Sequence, residues 1–89
     1  MAYRVEFAES AERELKKLDP QPRIRILEFL RDRVAKLDGP RAIGKALKGS
    51  ELGEFWRYRV GELRLICRIE DERVLILVLR IGHRREIYR

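Results

Sequence analysis

Eighty-nine residues, 45% hydrophobic and 40% charged, support one modest core under a heavily charged surface and leave no room for a second ordinary domain. No apolar run approaches the roughly 20 residues that span a bilayer, so no membrane partner is expected. One cysteine and one histidine exclude an internal disulfide and a zinc site, and no metal or other cofactor is expected.

The formal net charge of +6 is unevenly spread. Residues 1–40 carry 9 Lys/Arg against 8 Asp/Glu, whereas residues 41–89 carry 12 against 7. Most of the later cations are arginines, whose planar forks match phosphate oxygens, so a polyanionic partner is one reading and a solubilising surface the other.

The opening Met1-Ala2-Tyr3-Arg4-Val5-Glu6 has no basic stretch followed by an apolar one, so an export signal is not expected and the cytoplasm is. Val5 and Phe7 alternate with Arg4 and Glu6, the pattern of a short strand. Ala11, Leu15 and Leu18 recur at helical spacing, with Ser10 placed to cap the first turn. Asp19-Pro20 ends that helix and starts another, with Asp19 as N-cap and Pro20 at the first helical position. Ile24, Leu27, Leu30, Val34 and Leu37 are expected on its buried face, and Asp38-Gly39-Pro40 stops it.

The remainder reads as strands. Phe55 to Val60 alternates aromatic or apolar residues with arginine, Gly61-Glu62 makes a tight turn, and Leu63 to Ile69 alternates again. After a turn at Asp71-Glu72, Val74 to Leu79 is apolar throughout, as for a strand flanked and covered on both sides. The expected fold is α+β in one domain, residues 1–89: two N-terminal helices packed on one face of a small, mainly antiparallel sheet.

A two-residue turn at Gly61-Glu62 sets Arg59 opposite Arg64, and puts Arg57, Arg59, Arg64 and Arg68 on one face of the hairpin. Trp56, Tyr58, Val60, Leu65 and Cys67 take the other face, against the helices. Like charges directly opposite one another destabilise a sheet unless an anion or neighbouring carboxylates such as Glu54, Glu62 and Glu70 offset them. Guanidinium groups converging on a phosphate can stabilise the charge of a pentavalent transition state. The same register places Leu75, Leu77 and Leu79 on the arginine side, as a groove floor or under a covering segment. Past that strand lie His83, suited to proton transfer near neutral pH, Arg84, Arg85, and Tyr88, suited to stacking on a base or orienting a hydroxyl.

The chain resembles the RelE/ParE toxins along nearly its whole length. The resemblance rests on Tyr3-Arg4-Val5-Glu6-Phe7 through Leu15-Lys16-Lys17-Leu18, then Leu47-Lys48-Gly49, Leu52 and Phe55-Trp56-Arg57-Tyr58-Arg59-Val60-Gly61, then Leu63-Arg64-Leu65-Ile66. The ending Gly82-His83-Arg84-Arg85-Glu86-Ile87-Tyr88 is similar to the RelE type in particular. The resemblance implies a microbial-RNase-like fold and a toxin of a type II toxin–antitoxin system. Its partners would be a cognate antitoxin, the ribosome and mRNA, and the toxin–antitoxin complex would bind promoter DNA through the antitoxin. The implied activity is ribosome-dependent, metal-independent mRNA cleavage in which the 2′-hydroxyl attacks the adjacent phosphate. The family's two strand lysines fall on Arg57 and Arg59, its next strand arginine on Arg64, its arginine after the last strand on Arg84, and its near-terminal tyrosine on Tyr88. Arginine is a poorer proton acceptor than lysine, which directs acid–base chemistry to another group, His83 being nearest in sequence. Two other readings share these features: a ParE-like inhibitor of DNA gyrase without nuclease activity, and a non-toxic basic binding module.

Overall fold

The computed structural model describes residues 3–36, 39–47 and 54–87. Strand β1 (Arg4–Phe7) leads into helices α1 (Glu9–Lys17) and α2 (Pro20–Glu28). A wider π-helical segment, Phe29–Val34, continues α2, and a 3-10 turn, Pro40–Ala42, precedes the two-residue strand β2 (Lys45–Ala46). Strands β3 (Phe55–Val60), β4 (Leu63–Glu70) and β5 (Leu75–His83) follow, and α3 (Arg84–Ile87) is a single turn. The sheet order is β1-β5-β4-β3-β2, with β1 parallel to β5 and the other pairs antiparallel. The α+β architecture and the hairpin at Gly61-Glu62 are as the sequence predicts, and β5 has a neighbour on each side.

Alternation along the strands fixes the buried face. Tyr58, Leu63, Leu65, Cys67, Ile76, Val78 and Ile81 point to one side and form a continuous core with Ala11, Ile26, Leu30 and Val34 from the helical layer. Each of the larger side chains contributes about 1.5–3 kcal/mol by leaving water.

The helices depart from expectation in three places. Ile24 and Leu27 are exposed, at 52% and 40%, and Ile26 is buried in their place. Ile26, Leu30 and Val34 are each four apart, a stripe that drifts around an α-helix; the wider turn, with Ala35 N–H donating to Leu30 C=O at 2.8 Å, takes up that drift. Leu37 and Asp38 lie outside the described residues. Second, the N-cap of α1 is Ala8, and the Ser10 hydroxyl donates to the Leu79 carbonyl at 2.8 Å instead of capping. Third, Asp19 occupies the N-cap position of α2 with Pro20 after it, but its side chain makes no capping hydrogen bond.

Beyond Val78 the outer edge of β5 has no strand beside it, and α1 satisfies it. Ala8 N–H donates to Val78 C=O at 2.8 Å, Ser10 to Leu79 C=O, and Ile81 N–H to Glu14 Oε1 at 2.9 Å. Glu14 also holds Arg80 at 3.2 Å. These bonds surround an irregularity in the β4–β5 pairing. Cys67 pairs with Val78 but Ile66 pairs with Arg80, so Leu79 is an extra residue on β5. The alternation read from the sequence is interrupted at this bulge, so Ile81 and His83 fall on the helix side. Leu75 and Leu77 do lie across from Glu70 and Arg68, but Leu75 is buried and forms no open floor.

Tyr58 joins the core to the segment before β2. Its ring packs edge-on to Phe29 with centroids 5.8 Å apart, and its hydroxyl donates to Pro40 C=O at 2.6 Å. Tyr58→Phe should lower unfolding free energy by about 1–3 kcal/mol, because a buried carbonyl loses its donor; urea midpoints measure it. Burial pushes the Cys67 thiol and the Tyr58 phenol above their ordinary values of 9.0 and 10.0. The unfolded chain therefore releases these protons first, so stability should be intact below about pH 9 and fall as pH rises beyond it. In Cys67→Ala the early part of that fall, measured by denaturant titration across this range, should flatten.

Candidate functional site

The β3–β4 hairpin sets the site. Gly61, at φ +58°, makes the two-residue reversal, and Val60 pairs with Leu63 and Arg59 with Arg64. Arg57 pairs with Ile66 one pleat further on and shares the face of Arg59 and Arg64, away from the helices. On the far side of β3, Lys45 pairs with Arg57. A cleft of ≈ 350 Å³ opens between these strands and the start of α3, lined by Gly44, Lys45, Arg57, Tyr58, Arg59, Arg64 and Arg84. Of the seven described residues that line it, five are cations and none is a carboxylate.

Several contacts fix the walls. Arg64 Nη1 donates to Gly61 C=O at 3.1 Å and Leu63 C=O at 3.0 Å, which holds its guanidinium against the turn. Gly82 is the residue across from Arg64, so no side chain from β5 fills that position. The segment leading into β2 is fastened by Tyr58 to Pro40 C=O and by Trp56 Nε1 to Ile43 C=O at 2.7 Å. Gly44, at φ +82°, lies so close to β3 that a Cβ would come within 2.4 Å of Arg57 C=O and 2.6 Å of Trp56 Nε1. Only glycine fits this approach, and the approach brings Lys45 to the cleft.

Of the residues singled out in the sequence, Arg57, Arg59, Arg64 and Arg84 line one cleft. Arg68 shares their sheet face but is drawn to Glu54 at 2.8 Å, with its guanidinium 5.9 Å from the Phe55 ring centre. Among the described residues no carboxylate pairs with Lys45, Arg59 or Arg64. His83 is elsewhere. The bulge at Leu79 shifts the pleat by one residue, so His83 pairs with Leu63 on the helix side. It lines a separate cleft of ≈ 410 Å³ with Lys17, Asp19, Arg25 and Glu62. Tyr88 lies outside the described residues. Lys45 escapes sequence reading because a two-residue strand has no periodicity; the one local signal is Gly44 beside it.

A concave cleft lined mainly by cations on a sheet is suited to a phosphodiester, whose negative charge they attract. No group of three or more His, Cys, Asp or Glu able to hold a metal occurs among the described residues. If repulsion between Arg59 and Arg64 is uncompensated in the free protein, Arg59→Gln should raise stability by about 0.2–1 kcal/mol at low salt. The gain should vanish in concentrated sodium chloride, where such charges are screened. Sulfate should raise the melting temperature of the parent protein more than that of the variant.

Comparison with known proteins bears on the family and the fold. The family described as the ParE toxin of type II toxin–antitoxin systems, parDE, matches residues 5–88. Toxin RelG of Mycobacterium tuberculosis is 37% identical over 89 residues, covering 100% of this chain and 99% of that one. The toxin–antitoxin complex RelBE2 of M. tuberculosis contains a chain 34% identical, with a TM-score of 0.81 and coverage of 94% of this chain and 93% of that one. A chain of the intact RelBE toxin–antitoxin complex of E. coli is 25% identical, with a TM-score of 0.76 over 92% of this chain and 96% of that one.

Proposed function

The chain belongs to the RelE/ParE family of type II toxin–antitoxin toxins, and from that premise we propose that it is a ribosome-dependent mRNA endoribonuclease. The observation that carries the reading is the convergence of Arg57, Arg59, Arg64 and Arg84 on one cleft. A gyrase inhibitor acts by binding and has no need of a concave phosphate site, whereas phosphodiester cleavage gains most from cations preset around the developing charge.

In this reaction the mRNA 2′-oxygen attacks the adjacent phosphorus, leaving a 2′,3′-cyclic phosphate and a free 5′-hydroxyl, with no metal. Arg57, Arg59, Arg64 and Arg84 hold the non-bridging oxygens and stabilise the extra negative charge of the transition state. Tyr88 stacks on a neighbouring base or orients the 2′-hydroxyl. His83 has no part in this reading, because its side of the sheet carries the other cleft. The remaining basic surface engages ribosomal RNA, with salt-dependent affinity. A cognate antitoxin silences the chain, as the RelBE2 and RelBE complexes pair toxin with antitoxin, and the paired complex binds its promoter through the antitoxin.

The second reading, a gyrase inhibitor, is favoured by the ParE description of the matching family. Induction of the gene followed by mapping of mRNA 5′ ends separates the two. New 5′ ends within translated frames, absent when translation is blocked, support the nuclease; broken DNA with intact mRNA supports the inhibitor. Arg64→Ala and Arg84→Ala should each abolish growth inhibition and lower cleavage by about 100-fold or more while leaving the fold intact. Full toxicity in both folded variants would overturn the assignment.

A further inference from the structure

We propose that Lys45 is the proton donor to the leaving 5′-oxygen in the cleavage of RNA at the arginine cleft, an inference that rests on the nuclease reading above. The described residues lining the cleft are four arginines, Lys45, Tyr58 and Gly44. The Tyr58 hydroxyl is committed to Pro40 C=O at 2.6 Å, and the tyrosine is 1% exposed. The imidazole of His83 belongs to the other cleft. An ammonium is a stronger acid than a guanidinium by roughly two to three powers of ten. Among the described residues, Lys45 is therefore the cleft's best proton donor.

Its placement is constructed. Lys45 stands across from Arg57 on the edge strand. The chain just before it is bonded to β3 through Trp56 and Tyr58, and packed against it at Gly44. A segment held at three successive points presents its next side chain at a defined position, which acid catalysis requires.

The 2′-oxygen bonds to phosphorus and its proton passes to water. The bond between phosphorus and the 5′-oxygen breaks, and the electron pair stays on that oxygen. Lys45 transfers one ammonium proton to it, yielding the 5′-hydroxyl and a neutral amine, which takes a proton back from solvent. The arginines neutralise charge on the non-bridging oxygens and keep their protons.

The test uses ribosomes programmed with an mRNA that carries the mapped cleavage linkage either unmodified or with sulfur in place of the bridging 5′-oxygen. A thiolate leaves without needing a proton. Lys45→Ala and Lys45→Arg should each cut the unmodified mRNA about 100-fold or more slowly than the parent protein, yet cut the sulfur-containing mRNA within a few-fold of its rate. Arg64→Ala should be slow on both, because its deficit lies in holding the phosphate. Equal losses on both substrates in the Lys45 variants, or parent-like cleavage by Lys45→Arg on the unmodified one, would overturn the assignment to Lys45. A parent protein that cleaves neither would overturn the nuclease reading itself, and the proposal with it.

Discussion

One extra residue in β5 decides which chemistry stands on which side of this sheet. Opposite Ile66, β5 inserts Leu79 before Arg80, and every side chain beyond changes face relative to an unbroken ladder. Ile81 is thereby returned to the core, where it is 1% exposed. Gly82 comes to the arginine side, and His83 is carried to the helix side. The irregularity is held in place: α1 meets it with Ser10 at the Leu79 carbonyl and with Glu14 at Ile81 N–H and Arg80. A single helix thus closes an open sheet edge and fixes the pleat that positions the cleft.

The second constraint is electrostatic. Four arginines and a lysine line a cleft of ≈ 350 Å³ with no carboxylate among the described residues of its wall. Nearby acids exist but are engaged elsewhere: Glu54 with Arg68, Glu70 with Arg73, Glu14 with Arg80 and Asp71 with Arg41. The hydrogen bond and charge of Arg41, together with the Tyr3 hydroxyl, hold the Asp71 carboxyl below the usual carboxylate range. Arg59 and Arg64, directly opposite each other with no carboxylate partner among the described residues, cost stability that the apolar core beneath them offsets. Such a trade is typical of a surface arranged for a polyanion.

Membership of the RelE/ParE family fixes the scaffold without fixing the activity, since one fold hosts unrelated functions. What bears on activity is the composition of the cleft. Where the family's RelE pattern has two strand lysines, this chain has Arg57 and Arg59. Arginine keeps its charge and binds phosphate in a fork, but exchanges protons poorly. In the proposed reaction that exchange leaves phosphate binding to the arginines of β3 and β4 and proton transfer to Lys45 of β2.

The order of strands and helices, the Gly61-Glu62 reversal and the shared face of Arg57, Arg59 and Arg64 were legible in the sequence, because alternation and turn chemistry are local and short-ranged. Helical spacing predicts Ile24, Leu27, Leu30, Val34 and Leu37 on the buried face; Leu30 and Val34 are buried, but Ile26 takes the place of Ile24 and Leu27 because the stripe that continues through the π turn is set by packing on the sheet. The location of His83 and the recruitment of Lys45 were decided only in three dimensions. A bulge leaves no mark in a run of apolar residues, and a two-residue strand has no period. Both exist because distant segments supply their hydrogen bonds: α1 to the edge of β5, and the aromatic side chains of β3 to the chain before β2.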